Sequence, residues 1–233
     1  MFMSTARRVR RVPPLVPGQR LKQPEFHRRY EAYPEDVKFE LIGGVVYMAP
    51  AMRWRHGNYD SVLGTALGVY ASGTPGVEAG HNATAILDED SEPQPDMALR
   101  LLPEFGGQSR LNAGEYVEGA PELLAEIAYS SRDIDLGAKR EDYRRTGVVE
   151  YLVLSIADQQ LHWFHFPSGQ PIRPNRRGIW RSRVFPGLWL DGGALVGRDL
   201  ARLVAIVQQG LASREHAAFV KRLQAAHRRH ARE

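Results

Sequence analysis

Along the chain, apolar positions first alternate, then recur at helical spacing, then run together, and each change of pattern marks an element. Phe26 to Tyr33 has room for a short helix, stopped by Pro34. From Lys38 to Met48, β-prone residues flank Gly43-Gly44, which predicts a hairpin with a tight primed turn, ended by Pro50. Tyr59, Val62, Leu63, Ala66, Leu67 and Tyr70 recur three and four apart, so Arg55 to Tyr70 reads as a helix broken by Gly73 to Gly76. Short strands are expected at 76–80, at 83–87 and from Pro95 to Leu101. Glu122 to Ala128 and Val149 to Ile156 are mostly apolar, and the second is expected to lie centrally in its sheet, buried on both faces. Between them Ile134 to Thr146 reads as a helix, capped by Ser130-Ser131 and ended by Gly147. Leu161 to Phe166 begins a hairpin-like region and Phe185 to Leu190 is a last short strand. Leu195 to His230 holds one or two amphipathic helices interrupted near Gly210.

This order predicts a mixed α/β fold around a central sheet. No internal repeat and no linker divides it, and 233 residues suffice for one sizeable core. The expected organisation is a basic, disordered arm over 1–24, an α/β domain over 25–194 and a helical extension over 195–233. A hydrophobic fraction of 43% with 25% charged residues is ordinary for a globular domain outside the membrane. With no apolar run near the roughly 20 residues of a membrane span, a cytoplasmic protein is expected. The first twenty residues are charged without an apolar stretch, so they are not expected to be a secretory signal. The absence of cysteine excludes disulfides, thiolate catalysis and zinc–thiolate sites.

The net charge of +4 conceals an uneven distribution. Residues 1–29 hold eight Lys/Arg against one acid, residues 198–233 eight against three, and the middle is acidic. Basic ends around an acidic centre fit either phosphate-binding arms flanking a cation site or ordinary solubilising tails.

Two acids in that centre stand in strand-like, apolar surroundings. Asp96 follows a proline at a strand entrance, and Glu126 lies among Leu, Ala and Ile. Carboxylates so placed are costly unless paired, hydrogen-bonded or bound to a cation. Oxygens from neighbouring strands suit Mg²⁺, which takes a few carboxylates and keeps exchangeable waters. The residues alone equally allow Asp96 to cap a turn and Glu126 to pair with an arginine. Lys139, four residues after Asp135, forms either an i,i+4 ion pair or a reach back over the helix start to a water or phosphate oxygen. Tyr143 faces the same way one turn on. Glu40 is either a third acid or an exposed strand residue, and His56 at a helix start either touches phosphate or is simply exposed. His81, His162 and His165 match no zinc spacing, and no phosphate-cradling glycine loop, dinucleotide motif or Ser-His-Asp set is present.

Taken together, Phe39-Glu40-Leu41-Ile42-Gly43-Gly44-Val45-Val46, His56, Pro95-Asp96, Leu124-Ala125-Glu126-Ile127, Ser130, Asp135, Lys139, Tyr143 and Gly147-Val148-Val149-Glu150-Tyr151 form an ordered set. This set resembles the Uma-two family of restriction endonucleases, within the PD-(D/E)XK nuclease superfamily, over roughly Phe39 to Leu190. The resemblance implies a restriction-endonuclease-like α/β core, its mixed central sheet flanked by helices, with an N-terminal hairpin and a C-terminal helical tail. It implies a metal-dependent endonuclease acting on double-stranded DNA, as a homodimer if both strands are cut. Asp96 matches the PD aspartate and Glu126 the (D/E)XK acid, both binding Mg²⁺ or Mn²⁺. Glu40 completes the metal site, and Lys139 positions water or phosphate. His56, Tyr143 and Asp135 are expected to touch substrate or support the acids. The lysine usually found two residues after the acid is replaced by Ala128, and Leu152 and Ser155 depart from the usual tryptophan and aspartate. A non-cleaving nucleic-acid-binding module and a structural protein remain alternatives.

Overall fold

The computed structural model describes residues 12–34, 36–49 and 52–232. Residues 1–11 of the expected arm, and Pro50 at the end of the hairpin, lie outside them. In chain order the helix α1 (Gln23–Tyr30) precedes the hairpin β1 (Phe39–Ile42) and β2 (Val45–Met48), and the long helix α2 (Trp54–Ser72) follows. Next come β3 (Val77–His81), β4 (Ala85–Ile86), β5 (Met97–Leu101), β6 (Arg110–Leu111), β7 (Val117–Glu118) and β8 (Leu123–Ala128). A helical crossover then runs through α3 (Arg132–Ile134), a π-helical turn (Asp135–Lys139) and α4 (Arg140–Thr146). After it come β9 (Glu150–Ser155), β10 (Gln160–His165), β11 (Gln170–Pro171), β12 (Ile179–Arg181) and β13 (Trp189–Asp191). The helices α5 (Gly192–Gly197), α6 (Leu200–Leu211) and α7 (Arg214–His230) complete the chain.

Six strands form the main sheet in the order β11-β10-β9-β8-β5-β3. Only β8 and β9 run parallel in it, with Leu123 opposite Glu150 and Ala128 opposite Ser155. The other pairs are antiparallel. A parallel pair needs a crossover, which the helical segment 132–146 supplies, and that segment covers one face of the sheet. Every residue of β8 and β9 is buried, as their apolar runs require.

Side-chain alternation along β8 sorts the core. Leu123, Ala125 and Ile127 pack with Leu63, Leu67 and Tyr70 of α2. Leu124 and Ala128 pack on the other side with Tyr143, Val148 and Tyr151. Glu126 falls on this second side, beneath the crossover helix. The turn between β1 and β2 has positive φ at both Gly43 and Gly44, 56° and 76°, the conformation a primed turn demands.

The described residues toward both ends, from 12 and up to 232, are more closely integrated than the composition there suggests. Residues 18–21 run along the hairpin, with Gly18 N–H donating to Val46 O at 2.8 Å and Leu21 N–H to Gly44 O at 2.9 Å. Leu15 is buried with Phe26, Phe39, Leu41 and Val46. At the other end, Leu195, Leu203, Val207, Phe219 and Leu223 belong to the same core as α2 and the sheet. The break between α6 and α7 comes at Ala212 and Ser213, near Gly210 as expected, and Ser213 caps α7. Charge density masked these apolar positions, because Lys and Arg occupy the solvent faces of the same segments.

Truncating a fully buried side chain of α6 tests this integration. Leu203→Ala is expected to lower the unfolding free energy by about 2–5 kcal/mol in urea denaturation. An unchanged midpoint would mean that α6 packs as an independent tail.

Candidate active site

The sheet register sets the geometry of the acids. Met97 of β5 pairs with Ala125 of β8, so Asp96, one residue before β5, stands beside Glu126. The Asp96 carboxylate also takes a backbone partner, accepting the Ile127 N–H on Oδ2 at 2.7 Å. Its other oxygen, Oδ1, lies 3.3 Å from His56 Nε2 near the start of α2.

Glu40 arrives from β1. Leu41 and Glu92 exchange backbone hydrogen bonds of 3.1 and 2.8 Å, which fasten the hairpin to the segment leading into Asp96. The Gln94 N–H then donates to Glu40 Oε1 at 2.9 Å. Asp135 and Lys139 are the first and last residues of the π-helical turn, and both are buried. Such turns frequently occur at functional sites. The Ser131 side chain does not cap the helix but donates to Asp135 Oδ2 at 2.6 Å.

These acids meet at Lys139. Its ammonium lies 2.9 Å from Glu40 Oε1, 3.0 Å from Glu126 Oε1 and 3.9 Å from Asp135 Oδ1. The i,i+4 pair with Asp135 therefore exists, but it is the longest of the three contacts. Tyr143 donates its hydroxyl to the same Glu126 Oε1 at 2.8 Å. Five of the seven residues singled out in the sequence thus form one contact network around Lys139, and the Asp96–His56 pair stands beside it on the same cleft. The cleft measures about 820 Å³, and its lining includes Glu40, His56, Asp96, Glu126, Asp135 and Lys139. A second, more open hollow of about 690 Å³ lies elsewhere and is lined by none of these acids.

Burial and unbalanced charge perturb the cluster. Burial raises the Glu126 carboxyl well above the ordinary range, Lys139 partly opposes that, and the neighbouring acids reinforce it. Asp135 is pushed up to about 6, first by burial, with Lys139 and Ser131 only partly compensating. Burial would lower Lys139, but Glu126, Glu40 and Asp135 together outweigh it and hold the ammonium protonated. Three carboxyl groups surround the ammonium, and it stays charged among them. The hydrogen bond to Asp96 raises His56. Four carboxyl groups against one lysine and one histidine leave an excess of negative potential, and Asp135 Oδ1 is buried without a hydrogen bond. That donor set favours a retained proton or an added cation.

The donors fit Mg²⁺ or Mn²⁺ in kind, as hard oxygens at the edge of an open cleft. Among the described residues, no three acidic or imidazole groups form a ready metal cage. Mg²⁺ does not require one, since it binds through one or two carboxylates and completes its shell with water and phosphate.

A family model described as "Putative restriction endonuclease", Uma2, matches residues 24–193. The chain belongs to the Uma2 family. A similar solved structure is a "putative nuclease belonging to DUF820" from Anabaena variabilis ATCC 29413, at 13% sequence identity and a TM-score of 0.59. The likeness covers 73% of this chain and 96% of that one, and it shows a shared fold. A search of the curated proteins finds no match.

Within this Uma2 chain, the small residue at 128, where the resemblance leads one to expect a lysine, has a packing counterpart. Ala128 points to the same side of β8 as Glu126, into a buried cluster with Tyr143 and Tyr151. A long charged side chain there would displace those rings, and Lys139 instead reaches Glu126 from the crossover. Gln94 and Lys38 were not among the expected site residues, and Ser131 was expected only as a helix cap. Lys38, one residue before β1 and two before Glu40, donates to Asn82 Oδ1 at 3.2 Å and lines the cleft. That spacing alone pointed to it. His81 pairs instead with the buried Asp60. Among the described residues no helix is long and apolar enough to cross a membrane.

The raised Asp135 carboxyl makes stability depend on pH in a definite direction. The folded state keeps a proton up to about 6, whereas an ordinary aspartate releases it near 3.8. The resulting stabilisation is present below pH 4 and is lost as pH rises through 6. Relative to Asp135→Asn, the wild-type protein should lose on the order of 2 kcal/mol between pH 4 and pH 7, read by urea unfolding. Parallel curves for the two proteins would contradict the assigned shift.

Proposed function

We propose that this chain hydrolyses phosphodiester bonds in DNA, using a divalent cation, Mg²⁺ or Mn²⁺, held by Asp96 and Glu126 with Glu40 beside them. The observation that carries the reading is the juxtaposition of Asp96, just before β5, and Glu126, within the adjacent strand β8, with Lys139 on the same cleft. When bound, the cation would acidify a water and offset charge on the phosphoryl oxygens. The chain's own groups orient the reaction. Ile127 N–H fixes the Asp96 carboxylate, and Tyr143 and Lys139 fix that of Glu126. The Lys139 ammonium is placed to hold the attacking water or a phosphate oxygen, and His56 can donate a proton near Asp96. Both contacts within the chain to Glu126 fall on Oε1, which leaves Oε2 for a ligand.

The test is supercoiled plasmid incubated with Mg²⁺, Mn²⁺ or EDTA. Wild-type protein should nick or linearise it only with a metal, and Asp96→Ala or Glu126→Ala should abolish this while the thermal midpoint shows a folded protein. Full metal-dependent activity in either variant would sink the assignment. The balance of nicked to linear product reads whether one site or a pair of sites acts per event.

One observation favours a second reading, a nucleic-acid-binding module that does not cleave. Lys139 already pairs with both Glu40 and Glu126, which offsets part of their charge without a cation. The two readings separate at Lys139→Ala. Under the nuclease reading it lowers cleavage by about 10²–10³-fold. Under the other reading, cleavage is absent throughout while salt-dependent binding persists.

A further inference from the structure

The mouth of the cleft carries a second kind of chemistry. Tyr129 lies three residues beyond Glu126, just past the end of β8, and is 36% exposed. Met48 at the end of β2 is 56% exposed, and Met52 before α2 is 51% exposed. All three line the same cleft as the acids. Trp54, at the first turn of α2, is 90% exposed. Of the eight large apolar side chains exposed among the described residues, these are four. Scattered apolar residues on a surface need no explanation, but such a concentration beside one cleft does.

Their setting argues for the occupant. The Arg53 guanidinium lies 5.8 Å from the centroid of the Tyr129 ring. Arg53 also lines the cleft, as does Lys38, and Arg55 is exposed on the same first turn of α2. The Met52 sulfur lies close to Gly57 in the first turn of α2, where an added Cβ would stand 3.5 Å from it. An aromatic face, polarisable thioethers and cations together match a base with its flanking phosphates. A continuous duplex presents only phosphates and groove edges to such a rim, so the ring is useful only to a base that has left the stack.

Resting on the nuclease reading of the cleft, we propose that Tyr129, Met48 and Met52 hold one unstacked base beside the scissile phosphate. The preferred substrate is then single-stranded or locally unpaired DNA. Arg53 and Lys38 hold the phosphates on either side of that base.

The test measures binding in EDTA by fluorescence anisotropy, using a labelled single strand and the matched duplex of the same sequence. Wild-type protein should bind the single strand more tightly. Tyr129→Ala and Met52→Ala should each weaken single-strand binding by about tenfold and narrow the difference between the substrates. Tyr129→Trp should retain the preference, which a merely structural role would not explain. In a duplex carrying 2-aminopurine, wild-type protein should raise the fluorescence of a base near the cut and Tyr129→Ala should not. Equal affinity for both substrates, together with metal-dependent plasmid cleavage, would overturn this inference and leave the nuclease reading standing. Absence of both binding and cleavage would remove both. If Met52→Ala converts a dimer to a monomer in sedimentation while oligonucleotide affinity is unchanged, the rim is a self-association surface and the proposal fails.

Discussion

One buried ammonium holds this site together. Lys139 joins an acid from the hairpin, an acid from the middle of the sheet and an acid from its own helical turn. Each of those carboxyl groups is nearly removed from water, and an isolated charge in that position is costly. The lysine is equally buried, and without the carboxylates it too would lose its charge. The support is therefore mutual between the lysine and the acids, while the acids raise one another. Such clusters are weak evidence for stability, since well-packed apolar residues often do as well.

The sheet dictates where the open side of the cleft lies. Strands buried on both faces leave little room for a charged side chain except near their ends or beneath a covering helix. Glu126 uses the second option and Asp96 the first. The Asp96 carboxylate also accepts the N–H of Ile127 on the neighbouring strand, so its position depends on the β5–β8 register. A slip of one residue would turn Glu126 toward α2 and put an apolar neighbour beneath Lys139. Register and chemistry are thus one constraint.

Much of this was legible in the residues. The Gly43-Gly44 turn, the apolar runs of β8 and β9 and the stop at Gly147 each have a local cause that survives in the folded chain. Asp96 and Glu126 were visible because carboxylates in apolar surroundings are anomalous. Lys139 was ambiguous: i,i+4 spacing to Asp135 is satisfied on any helix, and only the packing of the hairpin against the crossover shows that Glu40 and Glu126 are closer. Gln94 acts through its backbone, which no side-chain pattern reveals. Ser131 looked like a cap and bonds a carboxylate instead. The basic ends misled in the same way, because net charge counts solvent faces and says nothing of Leu15 or Leu203 beneath them.

The remaining question is why the hairpin, a two-stranded element apart from the main sheet, can present Glu40 reliably. An isolated hairpin is marginal in water, and here two further buried acids fasten it. Glu92, next to Leu41 in the backbone pairing, accepts from Gln23 at 2.7 Å and contacts the His27 ring at 2.8 Å, which ties in α1. Asp142 of α4 lies beside the Gly43 turn, accepts from Ser91 at 2.5 Å and pairs with Arg145 at 2.7 Å. Asp142 sits one turn beyond Lys139 on the same crossover. The contact that steadies the hairpin turn and the contact that meets Glu40 therefore come from one continuous helical segment. Loosening either lock would let Glu40 drift from Lys139 without touching a group on the cleft, so these outlying acids help to position the site.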